Sequence, residues 1–159
     1  MNIKRYGKTL LLALSLQLMM PAQAAMDHGV MVHNASARAT FAMATTAAVY
    51  LTIMNHGEHS LTLTGVQVDG SVASEAQIHT TIMDGDMMKM RQVTEGLEIA
   101  SGDMIEFKPG GYHVMLMGLV NPLKSGNTFN LTLDFAGDIS KTIEVTVGTQ
   151  GKPSEHHHH

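Results

Sequence analysis

His79-Thr80-Thr81-Ile82-Met83-Asp84-Gly85-Asp86-Met87-Met88-Lys89-Met90-Arg91 is the stretch from which the fold can be read. Asp84-Gly85 is a strong hairpin signal, because both central residues of a type I′ turn need φ > 0, which Asp tolerates and Gly accepts freely. With these two as the loop, Met83 faces Asp86, Ile82 faces Met87 and His79 faces Met90. Directly opposed residues share a face with Cβ atoms about 5 Å apart, so His79 and Met90 are expected to hold one ligand together. The chain returns as Pro109-Gly110-Gly111-Tyr112-His113-Val114-Met115-Leu116-Met117, where His113 and Met115 stand two apart on a strand and also share a face. Between His79 and Met117 lie seven of the fourteen methionines and two of the ten histidines. Two imidazoles with two thioethers form a soft, neutral donor set that suits Cu(I) far better than Zn(II), Ca(II) or Mg(II).

Outward from this hairpin, the sequence from Val32 to Val147 reads as short strands separated by turn residues. Val30-Asn34 and Ser36-Ala39 lead in. Ala47-Met54 alternates, with Tyr50, Thr52 and Met54 on one face and Val49, Leu51 and Ile53 on the other. Asn55-His56-Gly57-Glu58-His59 turns the chain, and Leu61-Val68 is read as alternating throughout, Leu61, Leu63, Gly65 and Gln67 opposing the rest. Then come Glu75-Met83, Met87-Gln92, Leu97-Ile99, Met104-Phe107, Tyr112-Met117, Thr128-Phe135 and Thr142-Val147. No window after the N-terminal segment carries a helical stripe, and about nine or ten strands at this spacing predict an all-β antiparallel sandwich.

The spacing His-x10-Met-x22-His-x-Met formed by His79, Met90, His113 and Met115 resembles the copper motif of the PCuAC family of periplasmic copper chaperones. Neighbouring words are similar too: Ala48-Val49-Tyr50-Leu51-Thr52-Ile53 with Asn55 and Gly57, Gly96-Leu97-Glu98-Ile99, Lys108-Pro109-Gly110-Gly111-Tyr112-His113, and Gly118-Leu119 with Pro122-Leu123. The resemblance runs from about Val32 to Val147 and implies a cupredoxin-like Greek-key β-sandwich. It also implies a non-enzymatic Cu(I) carrier of the periplasm that delivers copper toward the dinuclear centre of cytochrome c oxidase or its assembly factors. Copper sequestration for tolerance is the alternative role.

At the N-terminus, Lys4, Arg5 and Lys8 precede an apolar run from Leu10 to Met20, and Pro21-Ala22-Gln23-Ala24 supplies the small-x-small pattern of a cleaved signal peptide spanning residues 1–24. The run is shorter than the roughly 20 residues that span a bilayer. Residues 25–150 are read as one copper-binding domain. Without residues 1–24 the chain has seven basic and fourteen acidic residues, a net charge of −7, which excludes nucleic acid as a partner, since phosphate binding needs a basic face. Zero Cys excludes a disulfide framework, a blue-copper site and an Fe–S cluster. A histidine-brace oxygenase needs His as the first mature residue, and Ala25 stands there. His28 and Met31 read as part of a solvated terminus. Residues 151–159 end in His156-His157-His158-His159, a tail with affinity for Cu(II) or Zn(II) whether native or a tag remnant.

The bland reading of the methionines is packing: Met fills irregular cores adaptably, and the chain has only seven aromatic residues. Against it, buried histidines without a role carry the cost of unpaired polar groups. Met88 and Met117 neighbour the site, Met43, Met54 and Met104 read as packing, and His33, His56 and His59 as solvated loop residues. The resulting expectation is a monomeric Cu(I) protein whose two imidazoles each give their second ring nitrogen to an acceptor that the sequence leaves unnamed.

Overall fold

The structure is a computed structural model that describes residues 29–149. The signal peptide, Ala25, His28 and the histidine tail lie outside those residues.

Ten strands form: β1 (Val30–Arg38), β2 (Thr46–Asn55), β3 (Leu61–Val68), β4 (Ala73–Asp84), β5 (Met87–Gln92), β6 (Leu97–Ile99), β7 (Met104–Phe107), β8 (His113–Leu119), β9 (Thr128–Phe135) and β10 (Ile139–Gly148). They pair in the order β5-β4-β8-β2-β1-β10-β9-β3-β6, with β7 against β2. All these pairings are antiparallel except β1 with β10. The sheet folds over so that β3 also packs against β4, giving the all-β, antiparallel-dominated fold read from the strand pattern and the cupredoxin-like arrangement that the family resemblance implies.

β2 shows why these residues choose strands. Ala47, Val49, Leu51 and Ile53 are buried, and the residues between them are partly exposed, the period-2 pattern of a sheet with one apolar face. On β8 the same face carries Val114 and Leu116, and on β9 Leu131 and Leu133, all at 0 % exposure. β3 departs from the simple alternation: its buried residues are Leu63 and Val66, three apart, because the register with β9 shifts between Leu63 and Gly65. The two lead-in strands are one, β1, broken by a shift between His33 and Ser36 where Asn34 takes φ +55°. An extra residue at such a bulge turns the following side chains over to the other face.

No methionine among the described residues belongs to the buried core. Met43 is 91 % exposed and Met104 63 %, so the packing role expected of them fails. Valine, leucine, isoleucine and alanine with Phe107 and Phe135 fill the interior instead, and the thioethers are exposed or, as at Met54, Met115 and Met117, partly buried.

Candidate metal centre

β4 has two different partners along its length. From Ala73 to His79 it pairs with β8, and from His79 to Asp84 it pairs with β5. The β4–β5 hairpin therefore stands as a two-stranded arm beyond the last β4–β8 row, and all six residues of β5 are exposed. That last row is His79 opposite His113. The two imidazoles lie at the root of the arm with ring centroids 5.9 Å apart and planes tilted by 42°. One ion can bridge rings at that separation, since each metal–nitrogen bond is about 2 Å and the ring radii make up the rest.

The turn differs from the expected one by a single residue. Asp84 pairs with Met87, so the loop is Gly85-Asp86, and Gly85 carries φ +63° while Asp86 does not share the left-handed region. This is the type II′ pattern, with Gly at the first central position, and it spares Asp84 a left-handed backbone. Asp84 instead accepts from Lys89 Nζ at 2.6 Å. The consequence for pairing is a shift of two: His79 faces Gln92, and Met90 faces Thr81. A two-residue shift keeps every side chain on its face. His79 and Met90 thus stay together as diagonal neighbours, about 7–8 Å apart and somewhat less at Cβ, rather than directly opposed.

On β8, Met115 is two residues from His113 and pairs with Gln77 of β4, so it belongs to the same face as both imidazoles. His79, Met90, His113 and Met115 all lie on this face, opposite the one that carries Val114, Leu116 and Ile78 into the core. Met88, opposite Met83, and Met117, opposite Glu75, extend it in the two directions. Exposure grades across the site: His113 is 6 % exposed, Met115 partly buried, and Met90 59 % exposed.

Each imidazole is held by an acceptor two residues earlier in the chain. His113 Nδ1–H donates to the Gly111 carbonyl at 3.1 Å. That carbonyl is placed by the turn Lys108-Pro109-Gly110-Gly111, closed by Gly111 N–H to Lys108 O at 3.0 Å, with Gly110 at φ +79°. Pro followed by a left-handed Gly is the type II signature, which gives the Pro109-Gly110 pair a physical task. His79 Nε2 bonds Gln77 Oε1 at 2.9 Å, and Gln77 Nε2 in turn donates to Glu75 Oε1. In the tautomers these bonds select, His113 Nε2 and His79 Nδ1 are the lone-pair nitrogens. His79 Nδ1 is buried and has no hydrogen-bond partner, an orphaned acceptor of the kind that a metal satisfies.

Gln77, Glu75 and Gly111 are the site residues that sequence reasoning missed. The signal was present in the strand period, since residues two apart share a face, but any polar residue at that offset would have qualified. No group of three or more His, Asp or Glu side chains among the described residues could hold a metal. A hard, carboxylate-rich cation site is therefore absent there, and the donors on offer are imidazole and thioether.

Burial of the His79 ring, and next the proximity of His113, push its pKa below the ordinary 6.5. The fold thus favours the neutral ring, so the contribution to stability is fully present above pH 6.5 and is lost as pH falls through the depressed native value. The metal-free domain should lose thermal stability on acidification below about pH 6.5, the ordinary value for His, and His79→Gln should flatten that part of the profile. Identical pH profiles of Tm for the two chains would rule out this assignment.

The family whose pattern matches residues 30–147 is described as "Putative lipoprotein LpqE-like". A Leifsonia xyli subsp. xyli protein described as "Putative lipoprotein" is 34% identical over 82 residues, covering 52% of this chain and 49% of its own length. The chain spans about half the length of the curated relatives it matches. Among solved structures, the Cu(I) form of DR1885 from Deinococcus radiodurans is 29% identical at a TM-score of 0.59, covering 80% of this chain and 83% of that one. The apo PCuAC domain from PmoF1 superposes at a TM-score of 0.61 with 21% identity, covering 76% of this chain and 94% of that one, a likeness of fold.

Proposed function

Because the chain belongs to the LpqE-like family and shares its β fold with copper-binding PCuAC domains, we propose that it is a Cu(I)-binding chaperone-type protein. In this reading His79, Met90, His113 and Met115 are the ligands, and the protein binds and transfers copper rather than catalysing a reaction. The observation that carries it is the buried, partnerless Nδ1 of His79, beside a second imidazole whose other nitrogen is held by a carbonyl.

The chemistry of the set supports a carrier. Neutral donors leave Cu(I) its single charge, so affinity comes from softness and from a tautomer fixed beforehand by Gln77 and Gly111. The gradient from buried His113 to exposed Met90 suits stepwise exchange: an incoming ligand displaces the exposed thioether first, and the imidazoles let go last. Cu(II) prefers harder donors and is disfavoured by two thioethers. The His156–His159 tail offers imidazole alone and is the place where Cu(II) would bind. No helix among the described residues is long and apolar enough to cross a membrane.

We place this activity in an exported compartment, reached through the signal-like residues 1–24, and take the recipient to be a cuproprotein such as the dinuclear copper centre of cytochrome c oxidase. The deciding experiment is a Cu(I) competition titration on residues 25–150. One Cu(I) per chain, with affinity lowered when Met90 and Met115 are both changed to Ala, is the expected result. Absence of tight Cu(I) binding by this histidine-tail-free domain would overturn the proposal. For the recipient, failure of the loaded protein to metallate the oxidase subunit under reducing conditions would leave the carrier reading intact and remove that partner.

A further inference from the structure

The arm carries more thioethers than the four-ligand site uses. Met83 and Met88 are directly opposed on β4 and β5, and Met90 is two residues from Met88 on the same face. Directly opposed side chains have Cβ atoms about 5 Å apart, so three thioethers form one cluster between the hairpin tip and the imidazole pair. They are 66 %, 65 % and 59 % exposed, although large apolar side chains in water stabilise nothing by burial. The opposite face of the arm carries Lys89 and Arg91, the charged residues that discourage edge-to-edge pairing, and a single exposed thioether, Met87, with no second methionine beside it.

We infer that Met83, Met88 and Met90 form a second, weaker station for a soft monovalent ion, Cu(I) or Ag(I), through which the cargo enters and leaves the His79–His113 centre. This inference rests on the copper reading above and deepens it. Three thioethers select a soft cation and offer nothing to a hard one. Met90 belongs to both stations, so an ion held by the three methionines reaches the centre by exchanging Met83 and Met88 for the two imidazoles while keeping one sulfur throughout. Coordination changes ligand by ligand, with no change in oxidation state and no proton transferred, because the His79 and His113 lone pairs are already free in the tautomers set by Gln77 and Gly111. A two-stranded arm joined to the sheet by strand pairing only at its root has the freedom to make that exchange.

The test uses the full chain with ε-¹³C-methyl methionine, followed by NMR during anaerobic titration with Cu(I) and, separately, Ag(I). In the His113→Ala/Met115→Ala double variant, which dismantles the main centre, the methyl signals of Met83, Met88 and Met90 should move together and saturate at an affinity at least about 100-fold weaker than the native chain's. Unmoved Met83 and Met88 signals, or movement of Met90 alone, overturn the station. In the native chain the first equivalent should move Met90 and Met115. If those stay still, the four-ligand centre is what fails, and the double variant still decides the arm. A kinetic arm completes the test: Met83→Leu/Met88→Leu should slow removal of Cu(I) by a bicinchoninate chelator several-fold. Met87→Leu, on the other face of the arm, should do nothing. Equal removal rates for the native and Met83→Leu/Met88→Leu chains would overturn the relay.

Discussion

Changing His113 to Ala should lower Cu(I) affinity by at least 100-fold, beyond the roughly 10–100-fold typical of losing a mere supporting residue around a metal, and should leave the fold nearly as stable as before. Affinity falls because His113 is the most enclosed of the four donors, at 6 % exposure, and because its ring is oriented in advance by the Gly111 carbonyl. The fold survives because the residue points away from the core side of β8, where Val114 and Leu116 stay in place. The structural losses are one hydrogen bond, about 1 kcal/mol, and the contact of the ring with His79, both outside the apolar core. Competition titration against a Cu(I) chelator together with a melting curve separates the two effects. An unchanged affinity would remove His113 from the ligand set, and a collapsed melting transition would show that it serves the fold instead.

Asn55→Ala should do the reverse. Asn55 is 1 % exposed at the end of β2. Its Nδ2 donates to the carbonyls of His59 at 2.8 Å, Ile99 at 2.9 Å and Ala100 at 3.2 Å, and its Oδ1 accepts from Gly57 N–H at 2.9 Å. One side chain thus ties the β2–β3 turn to the β6–β7 connection. Truncation leaves several buried backbone groups unpaired, each costing about 1–3 kcal/mol unless water enters. We expect a loss on the order of 3 kcal/mol, or roughly 10 °C in Tm for a domain of this size, with Cu(I) affinity unchanged below the transition. Asn55→Asp, which keeps the acceptor and loses the amide donors, should sit nearly as low. A Tm within a degree or two of the parent would show that solvent replaces these bonds at little cost.

Much of this was legible from residues alone because the strand period is strict. β2 declared its two faces, and the same period placed His113 beside Met115. The hairpin was legible as well, but its register was ambiguous: Asp84-Gly85-Asp86 supports either a type I′ loop at Asp84-Gly85 or a type II′ loop at Gly85-Asp86, and the second avoids a left-handed Asp. The shared face of His79 and Met90 survived that ambiguity because the two alternatives differ by an even number of residues. Bulges had no such protection. The shift at Leu63–Gly65 and the left-handed Asn34 come from long-range pairing, which no local window contains. The partners of the imidazoles were hidden for a related reason. Gln77 follows the strand period, yet Gly111 contributes a carbonyl, and a carbonyl leaves no mark on residue identity.

The exposed arm also fixes how this protein ages. Thioethers open to solvent are readily converted to sulfoxides, and Met83, Met87, Met88 and Met90 are all at least 59 % exposed, while the chain has no cysteine to intercept an oxidant. Sulfoxidation replaces a soft sulfur donor with a polar, oxygen-bearing group and would so remove the preference for Cu(I) at the positions proposed to exchange it. Damage would begin at the hairpin tip and reach the sheltered Met115 last. Function would then depend on an outside partner, a methionine sulfoxide reductase working in the same compartment, because nothing in the fold can reverse the lesion.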